Sequence, residues 1–251
     1  MLDVTGNSLP LQQMDMEDLE IRYRFRLEDG KEETFQFHLD PISLEIEPPW
    51  SNELPEWTLL KCHQCANCTL EVINGARCPA AVNMVGLVDR FTAMLSYDRA
   101  SVEVTTRERM VCRESTIQHG ICSLMGLLMA TSRCPMTGFF KPMARFHLPF
   151  ASTAETIWRA SSTYLLAQYF RQRDGGEPDL AFAGLVRIYN DILTVNASFV
   201  KRLRSACDGD SMVNAIILLD MFAQSMPLAI EASLKEIRHV FVPYLKHSSK
   251  A

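Results

Sequence analysis

The sequence has no hydrophobic run long enough to span a lipid bilayer. Its longest strongly apolar segment, residues 121–130, is about half the length of about 20 residues that a transmembrane helix needs. The first twenty residues contain neither a basic segment nor an apolar segment of the kind found in secretory signals. We therefore expect a cytoplasmic protein that does not interact with membranes.

Positive charge is also scarce. The chain has 25 Lys and Arg residues against 30 Asp and Glu residues, and its formal net charge is −5. Nonspecific binding of nucleic acid requires a strongly basic face, which this balance does not favour. We expect no nucleic-acid partner.

The motifs of several common enzyme classes are missing as well. The sequence contains no P-loop, no Gly-x-Gly-x-x-Gly after a strand, no His-Glu-x-x-His and no nucleophile-elbow serine. One Glu-x-x-His pair, Glu236 and His239, has the spacing used in di-iron helical bundles, but those bundles need a second copy. Motifs alone leave open whether the protein is an enzyme.

A regular alternation near the N-terminus predicts a β-hairpin. Residues 21–27 alternate between apolar side chains and arginines, and residues 34–39 resume the alternation after an Asp-Gly turn signal. A two-residue turn would mix the apolar and polar faces. A three-residue loop over Asp29–Lys31 pairs Phe25 with Phe35 and keeps the faces in register, so we favour that loop.

From residue 80 onward the spacing of apolar residues becomes helical. Helices are predicted over residues 80–96, 115–132, 153–171, 180–206 and 211–246, with the last one broken near Pro227. Short strands are predicted over residues 42–47 and 101–106. Residues 152–155 form a capping-box signature at the start of a helix.

This pattern predicts an α+β fold with a small N-terminal antiparallel sheet, a cysteine-rich connector and a mostly α-helical C-terminal body. We predict four segments: a flexible leader (1–17), an antiparallel hairpin or meander (18–49), a cysteine-rich metal-binding connector (50–79) and a helical domain (80–251).

The connector holds the most informative residues of the chain. Cys62, Cys65 and Cys68 are spaced two residues apart, and Cys78 follows in a Cys-Pro dipeptide. Without an expected export signal, such cysteines indicate reduced thiols or metal ligands rather than disulfides. Zinc sites use four ligands in a tetrahedron and commonly draw two of them from a Cys-x2-Cys pair. We expect one such pair from this loop, with Cys78 as the third ligand.

The fourth ligand is open among the remaining loop cysteine, His63 and a distant residue. Cys134 stands out among distant residues because Cys134-Pro135 repeats the Cys-Pro dipeptide of Cys78 in another proline-rich segment. Zinc is favoured because a closed site can fix an irregular connector onto a helical core. A 4Fe-4S cluster is the alternative, although nine residues precede the last cysteine where the ferredoxin run has three. Buried, metal-free thiols are the plainer interpretation.

A second candidate site collects charged groups around the start of a predicted helix. Arg145 and His147 precede this helix, and Glu155 and Arg159 lie within it. A helix N-terminus with two arginines suits a small anionic ligand. The plainer interpretation is a capping glutamate, an i,i+4 ion pair and an interior histidine.

Several of these motifs together resemble an uncharacterised family of bacterial cytoplasmic proteins with a Cys-x2-Cys…Cys-Pro…Cys-Pro pattern. The residues that carry the resemblance are Trp57-Thr58, Gln64-Cys65-x-x-Cys68, Cys78-Pro79, Cys134-Pro135, Met143-x-Arg145-Phe-His147-Leu-Pro-Phe150 and Glu155-Thr156. The likeness runs from about Trp57 to Asp220. It implies no mechanism, but it implies Cys65, Cys68, Cys78 and Cys134 as the metal ligands rather than Cys62.

Two functional hypotheses follow. The first is a cytoplasmic zinc-binding protein with a regulatory or protein-interaction role, acting through a protein partner or a second copy of itself. The second is an iron–sulfur redox enzyme or redox sensor with a small anionic ligand pocket at Arg145, His147 and Glu155.

Overall fold

The computed structural model describes residues 19–46, 54–207 and 209–246, so the predicted leader lies outside the described residues. The regular elements are β1 (Leu19–Leu27), β2 (Glu32–Leu39), α1 (Pro79–Phe91), β3 (Arg99–Thr106), β4 (Met110–Thr116), α2 (Ile117–Ala130), α3 (Lys141–Arg145), α4 (Thr153–Arg173), α5 (Ala183–Arg204), α6 (Ser211–Ile237) and α7 (Val242–Lys246). This architecture confirms the predicted α+β fold. In the described ranges, no helix has the length and apolar character needed to cross a membrane.

The four strands form one antiparallel sheet in the order β2-β1-β3-β4. Residues 80–251, the predicted helical domain, contain both β3 and β4 and therefore contribute half of the sheet. The expected strand at residues 42–47 is wrong over its described part. Residues 41–43 form a turn, and Ile46 makes only an isolated bridge to Leu39.

The hairpin between β1 and β2 has the predicted three-residue loop, shifted one residue earlier. The Leu27 N–H donates to the Lys31 carbonyl at 2.8 Å, so the loop is Glu28–Gly30. Gly30 has a φ of 84°, the left-handed conformation that such loops require. As a result, Phe35 pairs with Tyr23 rather than with Phe25. Because the change moves the pairing by two residues, the same side chains stay on the buried face.

The buried face of the sheet packs against α1 and α2, and one glycine of α2 permits the close approach. Tyr23 and Phe25 are fully buried. A Cβ atom added at Gly120 would lie 2.5 Å from Cε1 of Phe25 and 3.0 Å from Cγ2 of Val102. Helix α2 therefore lies against the sheet at a distance that only glycine allows at this position.

We expect Gly120→Ala to lower the free energy of unfolding by about 1–3 kcal/mol, because an extra methyl group in a filled core forces its neighbours to shift. This loss exceeds the roughly 1 kcal/mol by which alanine favours a helix over glycine. The control is Gly126→Ala in the same helix, whose added Cβ would lie 3.6 Å from Leu219. Urea unfolding of both variants tests the prediction, and equal stabilities would contradict it.

Local sequence signals set most helix boundaries. Pro79 occupies the first position of α1, directly after Cys78, where its missing N–H is tolerated. The capping box at the start of α4 is confirmed, with Ser152 and Glu155 exchanging hydrogen bonds. The predicted break at Pro227 is wrong, because α6 continues through this residue. Helix α6 packs against α2, α4 and α5, and this packing offsets the hydrogen bond that proline removes.

One continuous hydrophobic core joins the sheet, the connector and the helices α1, α2, α3, α5 and α6. It includes Phe37 of β2, Cys78 of the connector, Leu124 of α2, Phe199 of α5 and Ile216 of α6. A second cluster lies between α4, α5 and α6. The connector is thus packed into the same core as the sheet, which fixes the position of its cysteines.

Candidate functional site

A buried arginine of α5 fastens the start of the connector to the helical body. Arg202 is 1% exposed, and its Nη1 donates to the carbonyl oxygens of Trp57 and Leu59, the latter at 2.8 Å. Nη2 lies 3.5 Å from the carbonyl oxygen of Leu60. A buried guanidinium needs such acceptors, because its desolvation is otherwise unfavourable. Nothing in the sequence spacing singled out Arg202.

Backbone hydrogen bonds close the connector into a loop. Leu59 and Arg77 form an isolated antiparallel bridge, and the Cys78 N–H donates to the Thr58 carbonyl at 2.8 Å. The intervening residues include the two-residue-spaced cysteines. The Asn67 side chain ties this loop to α5 by donating from Nδ2 to the backbone carbonyl of Asp191 at 3.0 Å.

Four cysteines from three separate segments lie near one another. Cys65 and Cys68 come from the loop, Cys78 precedes α1, and Cys134 follows α2. Negative charge on Cys78, Cys134 or Cys68 raises the pKa of Cys65, so all three act on this thiol. Cys78 and Cys134 are buried, and the other two are half-buried. These are the four cysteines that the sequence favoured as ligands.

The arrangement of these thiols is not that of a closed metal site. Over residues 19–46, 54–207 and 209–246, no three His, Cys, Asp or Glu side chains stand in a geometry that holds a metal ion. A four-cysteine zinc site places its four sulfur atoms about 2.3 Å from the ion. The thiols would therefore have to draw together around an ion from the positions that the structure gives them.

The surroundings of Cys65 and Cys78 keep these two thiols protonated in the absence of metal. Burial raises the pKa of Cys65 to about 11, although a hydrogen bond with Ser198 of α5 opposes the shift. Burial also raises the pKa of Cys78. The backbone N–H groups of Ala81 and Ala80 in the first turn of α1, together with the charge of Arg202, favour its thiolate. A bound metal must therefore displace protons.

The two alternate ligands have other surroundings. Cys62 has its Sγ 4.0 Å from Oγ of Ser205, and His63 is exposed with a φ of 49°. The hydrophobic core contains or contacts the four preferred cysteines but not Cys62.

The second candidate group is divided by the fold. Arg145 lies 3.9 Å from Glu108, at the end of the sheet. The Glu155 carboxylate accepts from the backbone N–H and hydroxyl of Ser152, and these bonds lower its pKa. Both charged groups therefore have structural partners away from a common ligand position.

His147 and Arg159 are brought together. Nε2 of His147 lies 2.5 Å from the hydroxyl of Tyr23. Burial first, and then the charge of Arg159, lowers the pKa of His147 to about 3, so the ring is neutral at pH 7. Nη2 of Arg159 donates to the carbonyl oxygens of Met143 and Phe146 at 2.7 and 2.9 Å. Both side chains line a cavity of about 540 Å³.

Comparison with known proteins gives one match. The family model described as a domain of unknown function (DUF6901) matches residues 21–242. No curated protein and no solved structure matches the chain. The matched range contains the four-cysteine group and the cavity.

Proposed function

Because the chain belongs to the DUF6901 family, whose description assigns no activity, we propose a function from the site itself: a metal-binding protein in which Cys65, Cys68, Cys78 and Cys134 hold one structural Zn²⁺. The observation that carries the proposal is the placement of four thiols from three separate segments at one hydrophobic core, in which Cys78 and Cys134 are buried and against which Cys65 and Cys68 pack. The bacterial origin and the shared cysteine pattern that the resemblance implies belong to the same proposal.

The connector is the segment that such a site would stabilise. Apart from the short 3₁₀ helix Glu56–Thr58, residues 54–78 contain no helix, and short-range bonds such as that from the Cys68 N–H to the Cys65 carbonyl at 3.0 Å shape the loop between its closed ends. A zinc ion bound to two loop cysteines, to Cys78 and to Cys134 would join the loop to the start of α1 and to the segment that follows α2. Structural zinc sites contribute directly to the free energy of folding in this way.

We propose that the protein acts through protein contacts, with a partner protein or a second copy of the chain. Helix α4 supports this role because it exposes a set of large apolar side chains to solvent: Trp158, Leu165, Leu166, Tyr169 and Phe170. A concentration of exposed aromatic and aliphatic side chains on one helix is typical of an interaction surface.

We also propose a cytoplasmic location. None of the eight cysteines forms a disulfide in the structure. A reducing compartment keeps thiols available as ligands, whereas an oxidising one favours disulfides.

The decisive experiment is elemental analysis with a visible spectrum on protein purified without oxygen. We expect one zinc per chain and a colourless sample. Iron with sulfide and a broad visible absorption band would replace zinc with the iron–sulfur alternative, which uses the same thiols. Protein that holds no metal after incubation with Zn²⁺, and that binds none by calorimetry, would contradict both.

A further inference from the structure

The cavity beside His147 has the size and lining of a small-molecule site. It has a volume of about 540 Å³ and lies among α2, α3, α4, α5 and α6. Pockets for small ligands commonly measure about 300–1,000 Å³ and are mostly apolar. Side chains such as Leu127, Ile192 and Phe222 supply the apolar walls. None of the four proposed zinc ligands lines the cavity, so it is a separate site.

The charges on the cavity wall have one sign. Arg113 and Arg159 line it, and none of its lining residues in the described part of the chain is Asp or Glu. Burial lowers the pKa of both lining histidines, His119 and His147, so neither needs an anionic partner at neutral pH. Two arginines facing a largely apolar space favour an anionic group.

Both arginines lie at the side of the cavity formed by the start of α4. The guanidinium of Arg113 lies 5.8 Å from the ring centre of Phe150, three residues before α4 begins. Arg159 is in the second turn of α4 and is half-buried. Glu155 acts on Arg159 electrostatically, but its carboxylate is bonded to Ser152 and does not line the cavity. The side of the cavity next to the start of α4 is therefore its positively charged end.

Asn196 of α5 also lines the cavity and is 2% exposed. Its Nδ2 is buried without a hydrogen-bond partner among the described residues, so this atom belongs to the closed wall and offers no donor to a ligand.

We propose that this cavity binds an amphipathic carboxylate with an aliphatic body. Its carboxylate pairs with Arg113 and Arg159, and its chain lies against the apolar walls of α2, α5 and α6. The cavity thus selects a carboxylate over an alcohol of the same chain length.

The test is calorimetric titration of the full chain with two probes, dodecanoate and dodecan-1-ol, each below the concentration at which it aggregates. We expect dodecanoate to bind about tenfold more tightly than the alcohol, since only the carboxylate forms charge-assisted bonds. Equal affinity for the alcohol, or no binding of either probe, overturns the proposal.

A pair of variants locates the carboxylate end of the ligand. Arg113→Gln is expected to weaken dodecanoate binding about tenfold, whereas Arg173→Gln, an exposed position in α4 with the same change of charge, leaves it unchanged. Thermal unfolding of each variant shows whether the fold is kept. Equal dodecanoate affinity of the two folded variants overturns the assignment of Arg113.

Discussion

Replacing Cys78 with serine is expected to abolish zinc retention and to remove the stability that zinc provides. Cys78 is buried, precedes α1 and interacts with Cys65 and Cys134. Serine keeps the size but lacks a sulfur ligand. At a free zinc concentration about 1,000 times the dissociation constant, the loss of binding lowers the free energy of unfolding by about 4 kcal/mol. Urea unfolding with and without added zinc measures this difference.

The matched control is Cys112→Ser, since Cys112 is exposed on β4, far in the chain from the proposed ligands. Its stability should change by no more than about 0.5 kcal/mol, with zinc retained. Equal zinc content in the two variants would show that Cys78 is not a ligand. Binding should also release protons, because Cys65 has a raised pKa of about 11 without metal. Zinc affinity is therefore expected to fall as the pH is lowered.

Arg202→Met is expected to lower the free energy of unfolding by about 2–5 kcal/mol, because two buried carbonyl groups lose their donor. Methionine keeps much of the aliphatic length, so the change isolates the hydrogen bonds to Trp57 and Leu59. Chemical unfolding measured without metal separates this effect from zinc binding.

The control for this variant is Arg204→Met, an exposed residue of the same helix. Its stability should remain within about 0.5 kcal/mol of the unsubstituted protein. If the two methionine variants are equally stable, Arg202 does not fasten the connector. Zinc affinity should also fall in Arg202→Met, because the charge of Arg202 favours the Cys78 thiolate.

Local sequence patterns predicted much of the framework. Alternation identified β1 and β2, and the capping box placed the start of α4 at Thr153. These signals act over a few residues, so a single sequence contains them. The same patterns failed at β4, where only partly buried and exposed residues leave little alternation. They also failed at Pro227, where contacts with other helices keep α6 continuous.

The candidate sites divide in the same way. Spacing and the repeated Cys-Pro dipeptide selected Cys65, Cys68, Cys78 and Cys134, which the fold brings near one another. Proximity in sequence suggested a common site for Arg145, His147, Glu155 and Arg159. The structure instead gives Arg145 and Glu155 separate partners. Charged residues that are close in sequence pair with whichever partner the fold places beside them. Their spacing along the chain does not show which partner that is.

By itself, the sequence determined the α+β fold class, the three-residue length of the hairpin loop and the cysteines worth considering as ligands, because these depend on spacing within short segments. Only the tertiary structure decided that Arg202 lies buried against the connector and that Asn196 is buried without a hydrogen-bond partner for its Nδ2 among the described residues. Both depend on which surfaces of distant helices meet. Burial turns an ordinary polar side chain into one that must find a partner, and burial is a property of the whole fold.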